Sequence, residues 1–192
     1  MGVSLSKSDT APTAAQSPGL SSVVVGLGWD ARTSAGRDFD LDASALLLGA
    51  DGRVLSDAHF VFFNNPSSPH GAVVHAGDNV SGAGEGDDEQ ITLDLAALPV
   101  EVARVALVVS IYDAESRAQT FGLVPNAIVR VVDATDGTEI ARYDLSADVP
   151  RETVLVLGEL YRRGPAWRFH ALGHVHPGGL HGLAADLGVT LL

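Results

Sequence analysis

The residues best suited to chemistry stand in two acidic clusters. The first is Gly77-Asp78-Asn79-Val80-Ser81-Gly82-Ala83-Gly84-Glu85-Gly86-Asp87-Asp88-Glu89, a stretch of carboxylates, an amide and glycines with almost no apolar side chains. Such a stretch cannot form a core element. Glycine lets the backbone turn through φ values that other residues avoid, so carboxylate and carbonyl oxygens can converge on one point. A calcium ion needs that arrangement, because it takes about 6–8 oxygens at roughly 2.3–2.6 Å. A flexible acidic loop can equally stay solvated and empty, and the loop by itself leaves both readings open.

The second cluster is Asp38-Phe39-Asp40-Leu41-Asp42-Ala43-Ser44, with an aspartate at every second position. On an extended chain the aspartates project to one side while Phe39, Leu41 and Ala43 face the other. Anions about 7 Å apart on one strand face repel, and a bridging divalent cation makes the arrangement favourable. The competing reading is a solvated strand edge kept charged against aggregation. An EF-hand is excluded, since the sixth position counted from Asp38 is Ala43 instead of glycine and the twelfth is Gly49 instead of glutamate. The ligands must then come from separate segments. The candidates are the side-chain oxygens of Asp30, Asp38, Asp40, Asp42, Asp78, Asn79, Asp87, Asp88 and Glu89, with the carbonyls of Gly77, Gly84 and Gly86 completing the shell of one or two calcium ions. Magnesium fits less well, because it prefers rigid octahedral geometry and fewer protein ligands.

Other groupings carry less. His170, His174, His176 and His181 lie close in sequence, but Trp167, Phe169 and Ala171 alternate with Arg168 and His170, which puts His170 on a solvent face. Asp113 and Glu115 have no nucleophile, oxyanion loop or phosphate cradle nearby and read as turn-forming carboxylates. Arg162-Arg163 falls at a hairpin tip.

Strands must position the clusters. Residues 20–28 and 39–48 read as strands, followed by a turn at Asp51-Gly52 and an aromatic strand at 59–63. Residues 90–95 alternate, 105–112 is the longest apolar run and reads as a central strand buried on both faces, and Asp136-Gly137 joins strands at 127–132 and 139–145. A last hairpin joins 153–161 to 166–171, and helical spacing appears only near 180–187. The expected fold is mostly β, an antiparallel β-sandwich with a few short helices, one of them near the C-terminus. Gly2 and Ser6 fit an N-myristoylation pattern, but Val3 and Leu5 alternating with Ser4 and Ser6 read better as an edge strand.

The 192 residues are 46% hydrophobic, enough for a single large domain. The formal charge is 12 − 24 = −12, which argues against a nucleic-acid partner. Cysteine is absent, so there is neither a disulfide nor a thiol for redox chemistry. The first residues lack the apolar stretch of an export signal and no apolar run reaches transmembrane length, so an intracellular setting is expected.

Six segments together resemble the TerD family of bacterial tellurium-resistance and stress-response proteins. They are Met1-Gly2-Val3-Ser4-Leu5-Ser6-Lys7, Val23-Val24-Val25-Gly26-Leu27-Gly28-Trp29-Asp30, Asp38-Phe39-Asp40-Leu41-Asp42-Ala43-Ser44, Gly77-Asp78-Asn79 with Gly86-Asp87-Asp88-Glu89, Asn126-Ala127-Ile128-Val129-Arg130 and Gly158-Glu159-Leu160-Tyr161. The resemblance covers nearly the whole chain, residues 1–192 as one domain. It implies a β-sandwich that binds calcium through its acidic loops and works in the cytoplasm. It also implies partners among other tellurium-resistance proteins, including a membrane component at the inner membrane face, and no established reaction. Tyr112-Asp113-Ala114 stands where relatives often carry His-Asp-Ala, so a role for that histidine is lost. With the resemblance added, the balance turns toward a calcium-binding module. The alternatives are a calcium-independent structural subunit of a membrane-associated resistance complex and an enzyme acting on tellurite or a phosphorylated metabolite.

Overall fold

The computed structural model describes residues 3–4, 19–83 and 86–190. Gly84, one of the carbonyl candidates, lies outside them. In chain order the strands are β1 (Val3–Ser4), β2 (Ser22–Gly28), β3 (Leu41–Leu48), β4 (Phe60–Val61), β5 (Val73–His75), β6 (Glu89–Asp94), β7 (Arg104–Ile111), β8 (Ile128–Asp133), β9 (Glu139–Asp144), β10 (Val154–Arg163) and β11 (Ala166–Val175). The α-helices are α1 (Ala114–Arg117), α2 (Leu145–Asp148) and α3 (Gly179–Asp186).

The strands form a six-stranded sheet, ordered β1-β9-β8-β2-β6-β5, and a five-stranded sheet, ordered β11-β10-β7-β3-β4. Apart from β1, which runs parallel to β9, the named pairings are antiparallel. One core lies between the sheets. Val23, Val25 and Leu27 of β2, Ile91 and Leu93 of β6, and Val129 and Val131 of β8 meet Leu41, Ala43, Ala45 and Leu47 of β3 and Val105, Leu107 and Val109 of β7. The period of two in each strand makes this possible, and each fully buried Val, Leu or Ile contributes about 1.5–3 kcal/mol.

The expected sandwich is therefore the observed fold, and the longest apolar run supplies its central strand, β7. Both faces of β7 are buried because α3 lies across the outside of the five-stranded sheet. Leu183 and Ala184 pack there with Leu46, Leu48, Ala106, Val108 and Val154. Expected boundaries shift, and one strand is added. The strand placed at 39–48 starts only at Leu41, the strand at 59–63 shrinks to Phe60–Val61 after a 3-10 turn at Asp57–His59, and β5 is an added edge strand. The aromatic run breaks early because Phe62 and Asn65 exchange backbone hydrogen bonds with each other in a tight turn. Beyond short β4 the edge of β3 is open to residues from the other sheet.

Candidate metal centre

Alternation along β3 divides its side chains. Leu41, Ala43, Ala45 and Leu47 enter the core between the sheets, and the intervening residues take the outer face, where Leu46 and Leu48 lie under α3. Asp42 occupies that outer face at the opposite end of the strand, beside its register partner Ser110 on β7. Asp40 stands just before β3, and Asp78 follows β5 at the edge of the six-stranded sheet. One carboxylate oxygen from each of Asp40, Asp42 and Asp78 lies within 4.8 Å of the others. Oxygens on opposite sides of a calcium ion stand about 5 Å apart, so these atoms fit within one coordination sphere.

Asp40 and Asp42 are buried, at 8% and 3% exposure, while Asp78 is exposed at the rim. The solvated-edge reading of the aspartate run does not describe these two residues, because both are buried. Burial pushes the Asp42 carboxyl up to about 8, reinforced by the negative charges of Glu89, Asp40 and Asp78. Burial also raises Asp40, against the opposing pull of the Arg117 guanidinium. Ionising Asp42 beside these carboxylates is therefore costly, a cost that a bound cation relieves.

Glu89 joins the two sheets at this point. It opens β6, yet its Oε2 accepts the backbone N–H of Ala43 on β3 at 2.7 Å, where β4 has ended. His75 of β5 stands 3.3 Å from the same oxygen. The Gly77 N–H donates to His75 Nδ1, which leaves Nε2 to carry the proton toward Glu89. The other oxygen, Glu89 Oε1, is buried without a hydrogen-bond partner, as are the hydroxyls of Ser44 and Ser110. A buried carboxylate oxygen left unpaired costs about 1–3 kcal/mol or more, so its donor set fits a cation as the missing partner.

The remaining candidates are placed differently. Asp87 is not turned to the cluster: its carboxylate lies across the outer face of the six-stranded sheet, where Arg130 Nε and Nη2 donate to it at 3.0 and 2.9 Å and Gln90 Nε2 at 3.0 Å. Gln90, Gly26 and Arg130 stand side by side in register, and a Cβ on Gly26 would run into the Asp87 carboxylate. A side chain at position 26 would have to displace the Asp87 carboxylate from Arg130 and Gln90. Asp88 accepts the Trp29 N–H through Oδ2 and Asn79 Nδ2 through Oδ1, both at 2.9 Å. Asn79 Oδ1 in turn accepts the N–H groups of Ser81 and Gly82, so Asn79 shapes the loop with its side chain. Gly82 adopts φ +67 against the Trp29 indole, and Gly77 and Gly86 also take positive φ. Asp30 is exposed and accepts Asn126 Nδ2 at 2.6 Å, and Asp38 is exposed, with its carbonyl accepting Gln119 Nε2 at 3.1 Å. The structure thus gathers Asp40, Asp42 and Asp78 into one group and gives Asp30, Asp87, Asp88 and Asn79 other partners.

The TerD domain profile matches residues 1–187. The chain belongs to the TerD family. It is 48% identical over 190 residues to tellurium resistance protein TerD of Alcaligenes sp, covering 99% of each chain. General stress protein 16U of Bacillus subtilis (strain 168) is 46% identical over 192 residues, covering 100% of each. A solved structure described as a homologue of telluride resistance protein (TerD) from Streptomyces coelicolor A3(2) superposes with a TM-score of 0.77 at 26% identity, covering 90% of this chain and 100% of that one.

Within this TerD domain, three partners of the candidate residues escape a reading of the sequence. His75 sits in a strand of three residues, too short for periodicity to reveal. Arg117 reaches Asp40 across 77 positions, and no local pattern announces it. Arg130 belongs to the segment that carries the family resemblance, but its partner Asp87 lies 43 positions away. No helix among the described residues is long and apolar enough to cross a membrane.

Proposed function

We propose that this TerD-family chain is a calcium-binding module of a bacterial stress and tellurite-resistance system, acting through ion-dependent stabilisation or partner binding without catalysing a reaction. The observation that carries the reading is the convergence of Asp40, Asp42 and Asp78 within 4.8 Å beside the orphaned buried oxygen of Glu89. The names of its relatives support the resistance and stress setting. Asp42 lies on β3 of the five-stranded sheet with Asp40 just before it, and Asp78 follows β5 of the six-stranded sheet, so an ion held by these three residues ties the two sheets together at one end of the sandwich. Calcium supplies the positive charge, and the protein supplies a cage whose two halves come from different sheets. The partners proposed are other tellurium-resistance proteins, including a membrane component, met from the cytoplasmic side.

An ion that binds only the folded chain raises its stability by about 4 kcal/mol at a thousandfold excess over its dissociation constant. The test is thermal unfolding of the full chain in millimolar calcium against excess chelator, with magnesium as the control. A large upward shift in calcium is expected, and identical curves would sink the proposal.

A further inference from the structure

Among the described residues, Arg117 is the only arginine that forms an ion pair with the Asp40, Asp42 and Asp78 group. Its Nη1 lies 3.3 Å from Asp40 Oδ2, with the two side chains only 14% and 11% exposed. The pairing is incomplete. A single nitrogen engages the carboxylate instead of the two-pronged fork that arginine favours, and the buried Nε has no hydrogen-bond partner. The guanidinium also stacks over the ring of Tyr112, 4.9 Å from its centroid, and Tyr112 is 46% exposed with its ring set edge-on to Phe63.

Arg117 closes α1, a single helical turn that the chain enters and leaves through non-glycine residues in left-handed conformation, Asp113 at φ 51 and Ala118 at φ 50. Such residues carry strain unless their surroundings hold them in place. A one-pronged ion pair on a strained turn is a contact that a stronger cation can exchange.

We infer that Arg117 is a resident counter-cation of the metal centre: it competes with the divalent ion for Asp40 and thereby sets the concentration at which the site fills, and ion binding is felt at the Arg117–Tyr112 surface. The inference rests on the calcium reading above and deepens it. It concerns one residue that no motif assigns to the site. A purely supporting role, in which Arg117 holds Asp40 in its ligating rotamer, predicts the opposite sign on substitution.

The experiment is a calorimetric calcium titration of the full chain at fixed ionic strength, comparing wild type, Arg117→Gln and Arg117→Lys. Removing a unit positive charge next to a dication should tighten binding about tenfold in R117Q, with R117K closer to wild type because it keeps the charge. In wild type the Nε–H resonance of Arg117, assigned by its loss in R117Q and in R117K, should move during the titration with the same midpoint as the heat. Unchanged or weaker calcium binding in R117Q, or an Arg117 resonance that stays fixed while wild type saturates, overturns the inference and leaves the calcium reading standing. Absence of calcium heat in every variant defeats both. If R117Q does not fold, the wild-type resonance and R117K still decide the question.

Discussion

Asp42 and Asp87 belong to the two acidic clusters that the sequence presents as alike, yet the fold treats them in opposite ways. Asp87 lies over Gly26 and is held by Arg130 through two nitrogens and by Gln90 through a third. Asp42 is more deeply buried and has neighbouring carboxylates where Asp87 has a guanidinium, and its pKa is pushed up to about 8. A carboxylate with its counter-charge built in is structural material. A carboxylate buried beside other carboxylates is a demand for a cation from outside. Acidity of a segment alone does not tell a carboxylate neutralised by its neighbours from one left among like charges.

The largest effect expected from breaking this contrast is on ion-dependent stability. Asp42→Asn should abolish the calcium-induced rise of about 4 kcal/mol, whereas Asp87→Asn should leave that rise in place. Thermal unfolding of both variants with calcium and with chelator measures it, and a calcium shift lost equally in both would erase the distinction.

The pH dependence of the ion-free chain is the next largest. The folded pKa of Asp42 lies above its unfolded value of 3.8, at about 8. Between those values the folded chain holds the proton that the unfolded chain has released. The stabilising contribution of the neutral acid is thus fully present below about pH 4 and is lost as pH rises to 8. Denaturant unfolding in chelator should show a decline on the order of 3 kcal/mol across that window, discounted for the coupling of Asp42 to Asp40 and Glu89. In Asp42→Asn the decline should flatten.

A smaller loss is expected where the counter-charge is built in. Asp87→Asn should destabilise the chain by about 2 kcal/mol in calcium and in chelator alike, because Arg130 loses a charged partner that is itself mostly buried. Guanidinium unfolding at both ion conditions tests whether the loss is the same. The least effect belongs to Asp30, which is exposed and bonded to the exposed Asn126. Asp30→Ala should cost about 0.5 kcal/mol and leave the calcium titration unchanged. A calorimetric titration weakened severalfold would instead place Asp30 among the ligands.

Much of the fold was readable in the chain because period-two alternation is a local property. Val23, Val25 and Leu27 on one strand and Ile91 and Leu93 on its neighbour point inward, as their spacing requires. The candidate site was readable in composition, and Asp40, Asp42, Asp78 and Glu89 all stand among the residues that composition singled out. Which residues pair with one another was not readable. Ala43 meets Glu89 across 46 positions and Arg117 meets Asp40 across 77, contacts fixed by sheet order and by where β4 stops. Nor could composition show that Asn79 bonds back to its own loop, since an amide that shapes a turn and an amide that binds an ion look alike in a sequence.

Side-chain order alone established a mostly β chain without cysteine chemistry, with carboxylates gathered in two segments that share in a family likeness spread over the chain. Those properties follow from side-chain type and near-neighbour spacing, which the linear order of residues states directly. Tertiary structure alone decided that Asp87 is neutralised by Arg130 while Asp42 is buried among anions, because register across strands and the early end of β4 determine which charges meet.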